Sequence, residues 1–217
     1  MGKGKLYHRL QPILSPIQAE ACGTIYSTII PKIKGFFRIF TFMTNNNPIL
    51  SFTLRPFKDG DEASLVANAN NIKVFNNVKD TFPHPYTYED AVWWVNANKQ
   101  TDQPITCFAI DVNGEVIGAI GIILGSDIQR LTAEIGYWLG ENYWRKGIAT
   151  EALKQTVDYV FKTFPEIVRI WAGVFEHNKP SMRVLEKAGF EFEGIRRKGA
   201  VKNGLVIDEY VYVKFRE

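Results

Sequence analysis

The stretch EIGYWLGENYWRKGIATEALKQTV, residues 134–157, constrains the fold of this chain more than any other. It opens with aromatic and β-branched residues that suit a pleated strand, passes through a short polar loop, and turns into an amphipathic helical pattern. A helix start exposes unpaired backbone N–H groups and the positive end of the helix dipole, so a turn of this kind suits a phosphate or diphosphate. Gly147 lets a ligand approach the backbone, Arg145 and Lys146 add positive charge, and the small Ala149 keeps the first turn close to the sheet. The same pattern also fits an ordinary strand-to-helix turn with a solvated basic pair. The rest of the chain has to decide between them.

From Met43 onward the pattern is that of an α/β domain. Residues 51–55 alternate as an edge strand, and Pro56, Asp59, Gly60 and Asp61 supply a turn before a helix over 62–70. A proline-rich loop gives way to a second helix near Tyr88, with Ala91, Val92, Trp94 and Val95 at helical spacing. Strands over 106–111 and 115–124 flank Asn113-Gly114, a pair that tolerates the positive φ of a two-residue hairpin turn. After the strand 132–139, a helix is predicted immediately beyond Trp144. It carries Ala149, Leu153, Val157, Val160 and Phe164 on one stripe and is ended by Pro165. A strand over 168–175, a helix over 180–188 and strands over 190–196 and 205–214 complete the pattern.

Charge separates the chain into two parts. Residues 1–42 carry a net +5, which leaves −2 for the remainder of a chain whose total is +3. A slightly acidic body is a poor candidate for the clustered Lys and Arg that displace counterions from phosphates, so nucleic acid is disfavoured as a partner. Residues 1–42 are expected to be an extension outside the domain 43–217. Three accounts of it stay open: a disordered or mis-assigned start, an organelle-targeting peptide, or a membrane-surface arm. Cys22 and Cys107 are too few and too distant for a disulfide framework or a zinc motif. Every apolar run is interrupted well short of a membrane span. A cytoplasmic chain without metal is therefore the expectation, and a homodimer is compatible with it.

Trp144-Arg145-Lys146-Gly147-Ile148-Ala149 resembles the acetyl-CoA-binding motif Q/R-x-x-G-x-G/A of GNAT acetyltransferases, with Trp144 in place of the usual Gln or Arg. The tyrosine and tryptophan before the loop and the Ala-Thr-Glu-Ala after it look like the RimJ/RimL branch, which acetylates N-termini of ribosomal proteins. A second stretch, VFEHNKPSMRVLEKAGFEFEG, resembles the family's strand, N-x-x-S and helix ending in Gly-Phe. Together with SFTLRPFKDGDEASL and GLVIDEYVY, the likeness spans roughly Leu50 to Val213 in the family's order. It implies an α+β fold of α/β/α layers, with a mixed, mostly antiparallel sheet of about seven strands flanked by helices. It also implies acetyl-CoA as cosubstrate, held by Tyr137, Trp138, Leu139, Trp144, Arg145, Lys146, Gly147, Ile148, Ala149, Thr150, Asn178 and Ser181.

By the same resemblance, strand 132–140 splays from strand 168–175 and frees amides near Trp138 and Leu139 for the acetyl oxygen and the pantetheine. Asn178 is implied to bind the pantetheine or a water near the thioester, and Ser181 to lie beside the sulfur. From the residues alone, Asn178 equally fits a helix cap and Ser181 a first-turn residue satisfying a local N–H. Glu134 is the first candidate general base, although a strand carboxylate of this kind also serves as an ion-pair partner. His177 and His84 follow as second and third candidates. Many family members place an acidic tyrosine in the last helix where this chain has Leu185, so the leaving-group acid falls to Ser181 or water. The acceptor is a primary amine, with a protein N-terminal α-amine ahead of a small-molecule amine and of a non-catalytic acyl-CoA module. By the resemblance, residues 74–88 and 196–208 are expected around its cleft, and Trp93 and Trp94 fit either its lining or the core.

Overall fold

The computed structural model describes residues 50–99 and 104–217, with backbone pairing also given for 43–44 and 47–48. The expectations for residues 1–42 lie outside the described residues. Met43–Thr44 (β1) and Asn47–Pro48 (β2) form a two-residue antiparallel pair. Seven further strands make one sheet: Thr53–Arg55 (β3), Cys107–Val112 (β4), Glu115–Leu124 (β5), Thr132–Leu139 (β6), Arg169–Phe175 (β7), Glu191–Lys202 (β8) and Leu205–Phe215 (β9). Their order is β3-β4-β5-β6-β7-β9-β8. Every neighbouring pair is antiparallel except β6 with β7, so the mixed seven-stranded sheet is present.

The helices are Glu62–Ala69 (α1), Ile72–Phe75 (α2), Tyr88–Asn98 (α3), Ile148–Thr163 (α4) and Lys179–Lys187 (α5). Thr87 and Asp90 start α3 with a reciprocal capping box. Asn71 starts α2 by accepting from the Lys73 amide. Asn113 and Gly114, at φ 54° and 90°, close the β4–β5 hairpin in the left-handed conformation that an Asn-Gly pair tolerates.

Each face of the sheet has its own core. On one face α4 and α5 contribute Ile148, Leu153, Val157 and Leu185, which pack with Ile110, Ile120, Ile135 and Ile170 of the strands. On the other, α1 and α3 contribute Leu65, Ala69, Ala91 and Val95, which pack with Ala109, Val116 and Ala119, with Trp94 and Trp138 alongside. The edge strand β3 is tied in by charge. Arg55 donates to both oxygens of Asp61 at 2.8 Å and to Asp111 at 2.8 Å, and both carboxylates are buried. Burial alone would lower the Arg55 pKa, but the two carboxylates outweigh it and the net direction is up. Among the described residues, no helix is long and apolar enough to cross a membrane.

Two boundaries differ from the sequence expectation by more than two residues. The α4 helix starts at Ile148, not after Trp144, because Arg145 (φ 61°) and Gly147 (φ 81°) both sit in the left-handed region and forbid a helical turn there. β8 runs to Lys202, past the expected end at 196. Its register shifts between Arg196 and Ala200, which lets the strand bend and resume pairing.

Candidate active site

The strands β6 and β7 are hydrogen-bonded partners over three pairs only, Thr132–Glu134 against Arg169–Trp171. Beyond Glu134, β6 stays paired with β5 as far as Leu139, and β7 stays paired with β9 as far as Phe175. The two strands therefore diverge into a fork, as expected from the resemblance. Each strand meets the fork with an edge of backbone groups that its former neighbour does not use.

Period-two alternation along β6 gives the fork two different faces. Ile135, Tyr137 and Leu139 point into the core beneath α4 and α5. Glu134, Gly136 and Trp138 point to the other side, where Trp138 meets Phe82 edge-on at 5.4 Å. Gly136 is exposed, and a Cβ added there would meet nothing within 4 Å. Across the fork, Gly173 is exposed too, with the Glu209 carboxylate so close that an added Cβ would lie 2.2 Å from Oε1. This face of the fork is thus floored by glycine, with Glu134 on one strand and Glu209 reaching over the other. Arg196 donates to Glu209 at 2.8 Å and stacks over the Trp171 ring at 4.5 Å.

At the mouth of the fork, a 3₁₀ turn over Glu141–Tyr143 leads to Trp144, whose indole Nε1 donates to the Leu139 carbonyl at 2.8 Å. Trp144 thereby braces the turn. Gly147 then directs the chain into α4, and among the described residues no side chain caps that end. The amides of Ile148, Ala149 and Thr150 begin the helix with no acceptor of their own inside it. Ile148 is fully buried and pins the turn to the core, while Arg145, Lys146 and Gly147 are exposed around it.

On the α5 side, Asn178 caps the helix through its side-chain oxygen, which accepts from the Ser181 amide at 3.2 Å. That leaves the amide NH₂ of Asn178 as its remaining donor. The Ser181 hydroxyl lies 2.9 Å from the Tyr137 hydroxyl. Burial pushes the Tyr137 pKa up to about 12, against a smaller opposing effect of the Ser181 contact, so the phenol keeps its proton. Leu185 is fully buried in the core. The phenol next to Ser181 therefore comes from β6. The alternation that sends Ile135 and Leu139 inward was the sequence signal for it.

The carboxylate of Glu134 is paired with Lys79, at 2.6 Å from Nζ to Oε1. The structure gives the histidines other partners: His177 Nε2 lies 3.1 Å from the Asn76 carbonyl, and His84 stacks on Phe75 at 5.2 Å. Trp94 packs edge-on against Phe57 at 6.2 Å as part of the core, and Trp93 is exposed on α3. The two segments expected around the acceptor cleft touch each other. Lys202 Nζ lies 2.6 Å from Asp80 and 3.6 Å from the Phe75 ring centre, and Asn203 donates to Asn76 at 2.9 Å.

Residues 51–191, spanning β3 to the start of β8, match the family model of the acetyltransferase (GNAT) domain. The chain belongs to the GNAT acetyltransferase family. Among its GNAT relatives, the probable N-acetyltransferase YjcK of Bacillus subtilis (strain 168) is 51% identical over 80 residues, which is 37% of this chain and 44% of that protein. The chain spans about half the length of the curated relatives it matches first. Among solved GNAT structures, the microcin C7 self-immunity acetyltransferase MccE, in complex with acetyl-CoA and AMP, superposes with TM-score 0.64 at 26% identity. That superposition covers 76% of this chain and 92% of MccE. Mycobacterium smegmatis RimJ, in complex with CoA-disulfide, superposes with TM-score 0.64 at 25% identity, covering 76% and 82%.

Proposed function

We propose that this GNAT protein transfers the acetyl group of acetyl-CoA to a primary amine, and that the acceptor is the N-terminal α-amine of a protein or peptide. The observation that carries the reading is the β6–β7 fork, which has an uncapped helix start on one side and an open glycine floor on the other. Acetyl-CoA supplies an activated thioester; the chain's residues supply the rest. The diphosphate is received by the amides of Ile148, Ala149 and Thr150, with Gly147 allowing close approach and Arg145 and Lys146 adding charge. The β6 edge at Tyr137–Leu139 holds the pantetheine and aims an amide at the carbonyl oxygen, where negative charge develops.

The amine approaches over Gly136. Glu134 takes its proton through a water and so releases a lone pair for attack. Ser181, hydrogen-bonded to Tyr137, returns a proton to the departing sulfur. The Asn178 amide NH₂ positions the pantetheine or a bridging water. A polypeptide acceptor is supported by the open floor, which admits an extended chain end, and by the likeness to RimJ.

A small-molecule amine is the second reading. The contacts of Lys202 with Asp80 and of Asn203 with Asn76 favour it, because they narrow the cleft from the loop side. Thiol release from acetyl-CoA, measured against peptides with free N-termini and against amino acids and polyamines, separates the two. Turnover confined to small amines overturns the first. Stabilisation by CoA without thiol release on any acceptor reduces the protein to a binding module.

A further inference from the structure

The acceptor face of the fork already holds a primary amine that belongs to this chain. Lys79, in the loop between α2 and α3, places its Nζ 2.6 Å from Oε1 of Glu134. Glu134 is the last β6 residue paired with β7, so this amine stands at the apex of the fork. It also stands on the face where Gly136 leaves space open. An external amine approaching over Gly136 would deliver its proton, through a water, to the same carboxylate.

Two other lysines show what is particular about Lys79. Lys202 is also paired with a carboxylate, but its side chain is only 2% exposed and lies against the Phe75 ring, which fixes it. Lys73 is as exposed as Lys79, at 61% against 62%, but its partner is Glu141, in the turn beyond the end of β6. Lys79 alone of the three combines an exposed four-carbon stem with a contact to the fork carboxylate. The exposed stem can change rotamer, and so move Nζ away from Glu134, without moving the backbone.

We propose that Lys79 is a self-acetylation site, its ε-amine acting as an internal acceptor when no external amine is present. The inference rests on the acetyl-transfer reading of the fork. In the step, the Lys79 ammonium gives a proton to Glu134, and the freed lone pair forms the N–C bond to the thioester carbonyl. The bonded nitrogen gives up its second proton to solvent, the C–S bond breaks, and the sulfur leaves as CoA thiol after taking a proton from the Ser181 hydroxyl, which solvent replenishes; the step releases one proton overall. The products are Nε-acetyl-lysine at position 79 and CoA, with no further reactant. The modified side chain has lost its charge, so Glu134 loses its ion-pair partner and becomes open to a cationic substrate.

The test incubates the full chain with acetyl-CoA and no added acceptor, and follows each lysine by peptide mass mapping over time. Lys73 serves as the internal reference and heat-unfolded chain as the chemical control. The expected result is acetylation of Lys79 about a hundredfold faster than of Lys73, because an amine held beside the reacting centre has a proximity advantage of at least that size. The rate per molecule should not change with protein concentration, and incorporation at this position should be absent in Lys79→Arg. Equal rates at Lys73 and Lys79, or the same Lys79 rate in the unfolded chain, overturn the inference. If an amine panel is still turned over in that case, the acetyl-transfer reading stands without it. No thiol release with any amine, together with no stabilisation by CoA, removes both.

Discussion

Tyr137 on β6 and Ser181 on α5 meet hydroxyl to hydroxyl at 2.9 Å, on the face of β6 opposite to Glu134. The pair links the strand that would carry the pantetheine to the helix that would carry the sulfur's proton donor. Tyr137→Phe and Ser181→Ala are each expected to lower kcat by about a hundredfold, the lower range for a positioned proton donor. The acetyl-CoA KM should change by less. Steady-state kinetics at saturating acceptor check this, and a change confined to KM would assign the pair to binding.

Gly136→Leu should fill the open floor without disturbing the fold, since an added Cβ meets no atom within 4 Å and the position has no positive φ. Stabilisation by CoA in a thermal shift assay should stay near the parent value, while thiol release with every acceptor falls by about a hundredfold through loss of productive positioning. Loss of CoA binding in this variant would place the cosubstrate on the wrong face.

Gly147→Ala tests the helix start. At φ 81° a side chain costs roughly 1–2 kcal/mol of backbone strain. The same strain shifts the first-turn amides, so CoA affinity should drop by about tenfold, equivalent to about 1.4 kcal/mol. Calorimetric titration with CoA measures the affinity, and denaturant unfolding measures the strain.

Arg55→Met should destabilise the domain by about 3 kcal/mol, because it leaves Asp61 and Asp111 as buried carboxylates without their cation. The site lies on the β3 edge of the sheet, so acetyl-CoA KM should stay unchanged. Urea unfolding alongside kinetics separates the two readouts.

Alkaline pH should weaken the fold in a defined window. Burial raises the Cys107 thiol from 9.0 to about 12 and the Tyr137 phenol from 10.0 to about 12. The folded state keeps these protons while the unfolded state loses them. The contribution is therefore complete below pH 9 and declines as pH rises toward about 12. Cys107→Ala should flatten the lower part of that decline in a melting-temperature series, and an unchanged slope would show that the thiol is not responsible.

Much of the fold was legible because it is written in short-range patterns. Asn113-Gly114 announces its hairpin, and the stripe through Leu153, Val157 and Val160 announces the face of α4 that the core receives. The start of α4 was not legible, since Trp-Arg-Lys-Gly is compatible with a helix and nothing in it reveals that Arg145 adopts a positive φ. The four residues of α2 are too few to show a period. At the site, the fork and the positions of Gly147, Asn178 and Ser181 followed from motifs. The contact between Lys79 and Glu134 did not, because it joins residues 55 positions apart through a loop without regular pattern. Nor did the reach of Glu209 over Gly173, which depends on how β9 aligns with β7.

The three-pair seam between β6 and β7 divides the sheet into two leaves that share little direct backbone bonding across their junction. A molecule lodged in the gap completes the missing ladder and acts as a splint between the leaves. Under the proposed function the substrate would become a temporary part of the architecture, and its departure would loosen the same junction that its arrival had closed.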